Sequence, residues 1–194
     1  MDKINLILIG AGGHCLSCID VISATNKFKI KGLVDLPSNL GNKVSKYSIE
    51  YTDKDIQKLA NRDNYFLLTI GQIESPNIRI DFAEKIKSIG GKFATVISPL
   101  AYVSNDATVG EGSIVMHHAL INAGADVGKQ CIINSKSLIE HDATIGNYCH
   151  LSTGSIVNGS AIIEDKCFLG SNSVAVDRVR MKQGTFLKSN ERFA

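Results

Sequence analysis

No stretch of this sequence is both long and apolar. The most apolar run near its start, residues 4–9, is broken by Asn5 and is far short of the ~20 residues that a bilayer-spanning helix needs. It also lacks the basic flank and small-residue cleavage site of a secretory signal. Dense Lys/Arg runs are missing, and the formal charge is only +2, so there is no electrostatic footprint for nucleic acid. A cytoplasmic location is therefore expected, with neither membrane insertion nor a nucleic-acid partner. The five cysteines are odd in number, which without an export signal argues for free thiols in a reducing compartment. Cys15 and Cys18 have the spacing of a redox or metal pair, but no second CxxC completes a zinc site, and no metal is expected. With 44% hydrophobic and 21% charged residues, the composition is that of a core-forming chain and excludes disorder and fibre.

The first half alternates strand and helix. Residues 4–10 read as a buried strand closed by glycine, and an apolar pattern at Leu16, Ile19, Val21 and Ile22 predicts a helix. Strands follow at residues 30–35, 65–71 and 93–97, with helices over 53–61 and 76–89. That rhythm implies a small parallel sheet covered by helices, a Rossmann-like α/β domain over residues 1–98. Gly10, Gly12 and Gly13 in G-A-G-G-H can bring backbone N–H groups to an anion at a helix N-terminus. The dinucleotide fingerprint needs glycine where Cys15 stands, so a phosphorylated ligand other than a nicotinamide dinucleotide fits the turn better. Asp35, at the end of the second strand, can accept hydrogen bonds from a ribose or base, or can simply close a turn. His14 opens the first helix beside the glycines.

From Ala101 onward the period is six: AYVSND, ATVGEG, SIVMHH, ALINAG and so on to TFLKSN. The third position of all fifteen hexads is apolar, which at 44% hydrophobic content chance would produce about five times in a million. The first position is small almost throughout. Neither helix nor plain alternation gives this period; short strands broken by repeated corners do. Three hexads close one triangular coil, so residues eighteen apart stack one strand spacing away. Cys131, Cys149 and Cys167 then pile up at one corner as small buried side chains.

These hexads, with G-A-G-G-H near the start and I-E-H-D-A-T-I-G-N-Y-C-H at residues 139–150, resemble the left-handed β-helix sugar acetyltransferases. That group includes the nucleotide-4-amino-sugar N-acetyltransferases and the sialic acid O-acetyltransferases of the NeuD group. The resemblance implies a left-handed parallel β-helix over residues 99–194 and a homotrimer with sites between subunits. It also implies acetyl-CoA as cosubstrate and transfer of acetyl to the 4-amino group of a nucleotide-linked dideoxy aminosugar, with UDP the expected carrier. A sialic acid hydroxyl is the alternative acceptor, and a noncatalytic sugar-binding trimer the alternative class.

His141 stands at position five of its hexad, where neither core nor corner needs it, and Asp142 beside it can fix its tautomer. By resemblance His141 is the general base, assisted by Asp142 where the family usually has Glu. His150 matches a histidine aimed at the thioester carbonyl, and Asn134, Gly154 and Gly159 match positions in the same cofactor groove. Gly10, Gly12, Gly13, His14 and Asp35 line the expected nucleotide-sugar pocket. In the family the repeats are commonly followed by a loop with a G-x-P-A-type tail that covers coenzyme A, whereas here they run into V-R-M-K-Q-G-T-F-L-K-S-N-E-R-F-A.

Overall fold

A computed structural model describes residues 3–194, which form two compact units. The first comprises the chain to Gly71 together with Asn77–Ala94; the second comprises Gln72–Pro76 and Thr95–Ala194.

In the first unit β1 (Ile4–Ile9) leads through the glycine turn into α1 (Gly13–Thr25), then β2 (Phe28–Val34). A hairpin of β3 (Lys43–Val44) and β4 (Tyr47–Tyr51) follows, then a 3₁₀ turn (Asp53–Asp55), α2 (Ile56–Leu59), β5 (Asn64–Leu68), α3 (Asn77–Ser88) and β6 (Lys92–Phe93). The sheet order is β3-β4-β2-β1-β5-β6, parallel except for β3. Leu6 to Ile9 are buried without alternation, as expected for a parallel strand covered on both faces. Helix α1 turns Cys15, Cys18, Ile19, Val21 and Ile22 inward and ends at Asn26 in the left-handed region, φ 55°. The chain leaves β1 first to β2 on one side and later to β5 on the other. The glycine turn therefore lies at the sheet's switch point, where α/β sheets open a crevice beyond their strand ends.

The second unit is the expected left-handed parallel β-helix. Its strands are two residues long and stack on three faces. The first face includes Ile132–Ile133, His150–Leu151, Phe168–Leu169 and Phe186–Leu187; the second includes Leu120–Ile121, Leu138–Ile139 and Ile156–Val157; the third includes Asp126–Val127 and Thr144–Ile145. Partners are eighteen residues apart throughout, as in Ile139↔Val157. The third-position aliphatics from Val115 to Leu187 form one buried column. Every sixth position from Gly112 to Asn190 has φ between 55° and 76°, and none of these residues is β-branched. A corner there demands the left-handed region, which a branched Cβ resists. From Gln130 to Asn190 each corner N–H then bonds the fifth-position carbonyl one coil earlier, as Asp142 N does to Ala123 O at 3.1 Å and Ser160 N to His141 O at 3.0 Å.

The expected strand over 93–97 is two strands. Ala94 N bonds Phe66 O in the first unit, whereas Val96 N bonds Ser113 O in the coil, so Val96–Ile97 is the coil's first rung, one hexad before Ala101. Continuous apolar character hides this change of partner. The β3–β4 hairpin carries no apolar alternation and was not expected.

The cysteine column stands between Ser113 and Thr185, all three thiols buried. The Sγ–H groups of Cys131, Cys149 and Cys167 donate to the carbonyls of Gly146, Glu164 and Lys182 at 3.0, 3.2 and 3.2 Å. Neighbouring thiols and burial push Cys149 up, and burial pushes Cys15 up to about 11. An aromatic disulfide reagent in excess should therefore leave all five native thiols unmodified and titrate five after denaturation. Rapid modification of even one native thiol, followed at 412 nm, would contradict this packing.

Candidate functional site

The second-face corner holds His141 and Asp142. Asp142 is itself a corner residue, φ 58°, and its Oδ2 accepts from His141 Nδ1 at 2.9 Å. With Nδ1 protonated and engaged, the Nε2 lone pair is the ring's open acceptor. The side chain is 61% exposed, and the carboxylate raises the imidazole above its ordinary 6.5, with Glu140 and Asp177 adding to the effect. Two glycines make room for the pair. A Cβ on Gly159, eighteen residues after His141, would lie 2.9 Å from the ring's Cε1 and Nε2. One on Gly124, eighteen residues before Asp142, would lie 2.5 Å from Asp142 Oδ1. The Gly159 N–H has no acceptor among the described residues. Gly124 was not singled out in the sequence, although the eighteen-residue register beneath Asp142 points to it.

His150 lies on the first face, only 7% exposed. Its Nδ1 donates to the main-chain carbonyl of Gln72. Asn134 Oδ1 accepts from Ser135 N at 2.8 Å, which aims the Asn134 amide nitrogen at His150 Nε2, 3.3 Å away. A carbonyl can only accept and an amide nitrogen can only donate, so neutral His150 carries its proton on Nδ1 and has both nitrogens engaged. Its ring meets Phe168 edge-on at 5.2 Å, and Phe168 stacks on Phe186 at 4.7 Å. A groove of about 560 Å3 runs past Asn134, His150, Phe168, Phe186 and Lys188. No motif or spacing marks Gln72 in the sequence. Gly154 is a left-handed corner, φ 69°, cleared for the Asn172 side chain, and does not line the groove. The dyad and this groove occupy different corners of the prism. His117 pairs through Nδ1 with Ser98 Oγ at 2.6 Å, apart from both.

In the first unit a cavity of about 610 Å3 opens at the sheet's switch point, lined by Gly10, Gly12, Gly13, His14, Asp35 and others. Gly10 adopts φ 96°, and a Cβ there would strike Ile70 Cγ1 at 2.4 Å. Helix α1 has Gly12 as its N-cap, with no side-chain cap and no acidic residue in its first turn. The N–H groups of Gly12 and Gly13 have no acceptor among the described residues, and open space faces both glycines. Such a helix start attracts an anion. Asp35 is largely spent within the chain: it accepts from Ala11 N and Leu36 N, and from Asn39 Nδ2 at 2.9 Å. It thereby holds the glycine turn in shape. Among the described residues no cluster of His, Cys, Asp and Glu could hold a metal ion, and no helix is long and apolar enough to cross a membrane.

Residues 5–86 match the family model described as the PglD N-terminal domain. No curated protein sequence matches the chain. Among solved structures, the chain is similar to the acetyltransferase domain of PglB from Neisseria gonorrhoeae FA1090. Identity is 22% over 99% of this chain and 92% of that one, with a TM-score of 0.89. It is also similar to WeeI from Acinetobacter baumannii AYE, at 17% identity over 97% and 91% with a TM-score of 0.79. A third is a histidine-to-asparagine variant of perosamine N-acetyltransferase from Caulobacter crescentus in complex with CoA and GDP-perosamine. There the identity is 19% over 92% and 91%, with a TM-score of 0.74. These likenesses establish a shared fold.

Replacing Asp142 with Asn removes the group that raises the His141 imidazole. A histidine NMR titration should find the wild-type ring above 6.5 and the Asp142→Asn ring shifted down toward that value. An unchanged midpoint would show that the contact does not govern the ring.

Proposed function

We propose that the chain is an acetyltransferase that moves acetyl from acetyl-CoA to the 4-amino group of a nucleotide-linked dideoxy aminosugar. The observation that carries this reading is the His141–Asp142 dyad. Its Nδ1 is committed to a carboxylate, and its exposed ring lies over Gly159, which leaves room for that ring. The PglB domain that this chain resembles has also been solved with acetyl coenzyme A, and the perosamine enzyme with CoA and a nucleotide sugar.

Nε2 of His141 takes the proton from the acceptor nitrogen as that nitrogen bonds to the acetyl carbonyl carbon. Asp142 supports the imidazolium thus formed. As the carbon–sulfur bond breaks, the imidazolium returns the proton to the leaving thiolate, and no acyl-enzyme is needed. The unengaged N–H of Gly159, beside the ring, is suited to steady the oxygen of the developing oxyanion. His150 cannot do so as a neutral ring, because both its nitrogens are committed; it holds Asn134 and the groove wall in place. The uncapped start of α1 takes the nucleotide phosphates. Five buried thiols, none in a disulfide, fit a cytoplasmic setting.

The homotrimer belongs to the same reading. The outward second-position side chains of the second face are Tyr102, Leu120, Leu138, Ile156 and Val174, an apolar ladder that ends at Arg192, while the third face carries Thr108, Asp126, Thr144, Ile162 and Arg180. A partner copy against the second face brings its own groove to the dyad, which a single chain keeps on separate corners.

Thiol release from acetyl-CoA with nucleotide-linked 4-amino sugars, against sialic acids as comparison acceptors, tests the activity. His141→Asn should lower kcat by about 10²–10⁴-fold. The base works deprotonated, so the rate should climb through a pKa above 6.5 and then level off, and Asp142→Asn should move that limb to lower pH. Full transfer by His141→Asn, or no transfer to any aminosugar, would remove this function. Leu138→Arg, placed mid-ladder, should convert a trimer to monomer in light scattering and abolish transfer; an active monomer would refute the shared site.

A further inference from the structure

The first-unit cavity presents its side chains in an order set by the sheet. β4, β2 and β1 are parallel neighbours, and their carboxyl ends are tied flush: Gly10 N donates to Val34 O at 2.8 Å and Asp35 N to Tyr51 O at 3.0 Å. The glycine turn follows β1, Asp35 follows β2, and Asp53 follows β4 by two residues. Adjacent strands lie about 4.8 Å apart, so Asp53 stands roughly 10 Å from the glycine turn. That is about the reach from a nucleotide's phosphates across its ribose to its base. Phosphates at the glycine turn thus bring the ribose to Asp35 and the base to Asp53.

The two carboxylates differ in what they have left to give. Asp35 already accepts three hydrogen bonds within the chain. The Asp53 carboxylate, half-exposed at the cavity, accepts no hydrogen bond among the described residues; Lys85 Nζ, which donates to the Asp53 main-chain carbonyl at 3.0 Å, lies 3.6 Å from its Oδ2. The remaining side chains at that end, Leu36, Ile78 and Phe82, are apolar, and the Thr69 hydroxyl is spent on the Ile9 and Gly10 carbonyls.

From this arrangement we infer that Asp53 reads the base of the nucleotide and that the base is guanine. The guanine edge sets two adjacent donors, N1–H and the N2 amine, beside the O6 acceptor. A carboxylate takes the two donors as a fork. Uracil, the base expected from sequence resemblance, offers one N–H flanked by two carbonyl oxygens. Asp53 can take that N–H, but its second oxygen then faces a uracil oxygen and repels it. Adenine and cytosine present no such adjacent donors on a single edge with an acceptor.

The inference rests on the reading that this cavity holds the acceptor's nucleotide, and calorimetric titration of the full chain with GDP, IDP and UDP tests it. GDP should bind about tenfold or more tighter than both UDP and IDP, which lacks the N2 amine. Asp53→Asn, at an exposed position outside the Thr52–Asp55 capping pair, should bring the three within about threefold of one another. UDP binding as tightly as GDP, IDP matching GDP, or a preference that survives Asp53→Asn would each overturn the base assignment while leaving the nucleotide cavity standing. Failure of all three nucleotides to bind would remove the cavity reading and this inference with it. The GDP–IDP comparison uses the wild-type chain alone, so the outcome does not depend on the variant folding.

Discussion

The backbone corner repeated at every sixth residue governs this molecule. Each corner holds a residue in the left-handed region, which costs a non-glycine residue on the order of 1 kcal/mol. Most of these corners are nonetheless not glycine: Gln130, Lys136, Asp142, Tyr148 and Lys166 are among those that bear it. What offsets the cost is stacking. Every hexad buries one aliphatic side chain against the coil above and below, about 1.5–3 kcal/mol each, and its backbone pairs with residues eighteen positions away. The corner is unfavourable alone and favourable in a stack, which is why the period persists without interruption for so much of the chain.

That same register shapes the proposed catalytic corner. Residues eighteen apart share a column, so whatever stands above and below His141 and Asp142 decides whether a ring and a carboxylate can lie side by side. Gly159 and Gly124 stand there, and each leaves a space that one methyl group would close. At Gly124 the positive φ and the close approach coincide, so glycine answers two demands at once. At Gly159 the backbone is ordinary and only the ring's proximity requires glycine.

How much of this was legible depends on whether the determinant was periodic. The β-helix could be read from residues 101–190 because each coil repeats the same demands, and the buried cysteine column followed from spacing alone. The first unit's strands were legible where both faces are apolar, as at residues 4–9 and 65–68. The β3–β4 hairpin was not, because an edge hairpin with polar faces has no pattern to announce it. The break between Phe93 and Val96 was hidden for the opposite reason: apolar residues serve both partners equally well. The commitments of Asp35 and His150 could not be read at all, since Ala11 N, Asn39 and the Gln72 carbonyl enter through tertiary contacts that leave no spacing signature. The order of the glycine turn, Asp35 and Asp53 across the sheet likewise required the strand order, because β4 joins beside β2 only after an unread hairpin.

Two histidines nine residues apart thus have different chemistry for one reason: the acceptor at Nδ1. A carboxylate faces the Nδ1 of His141, and a carboxylate favours the protonated ring. A neutral main-chain carbonyl faces the Nδ1 of His150 in a niche that leaves the residue only 7% exposed. Exposure adds to the contrast, because the His141 side chain is 61% exposed and His150 only 7%. Motif position alone makes the two residues look equivalent. The partner atom at a single ring nitrogen makes one of them suited to carry a proton back and forth and the other suited to hold a wall.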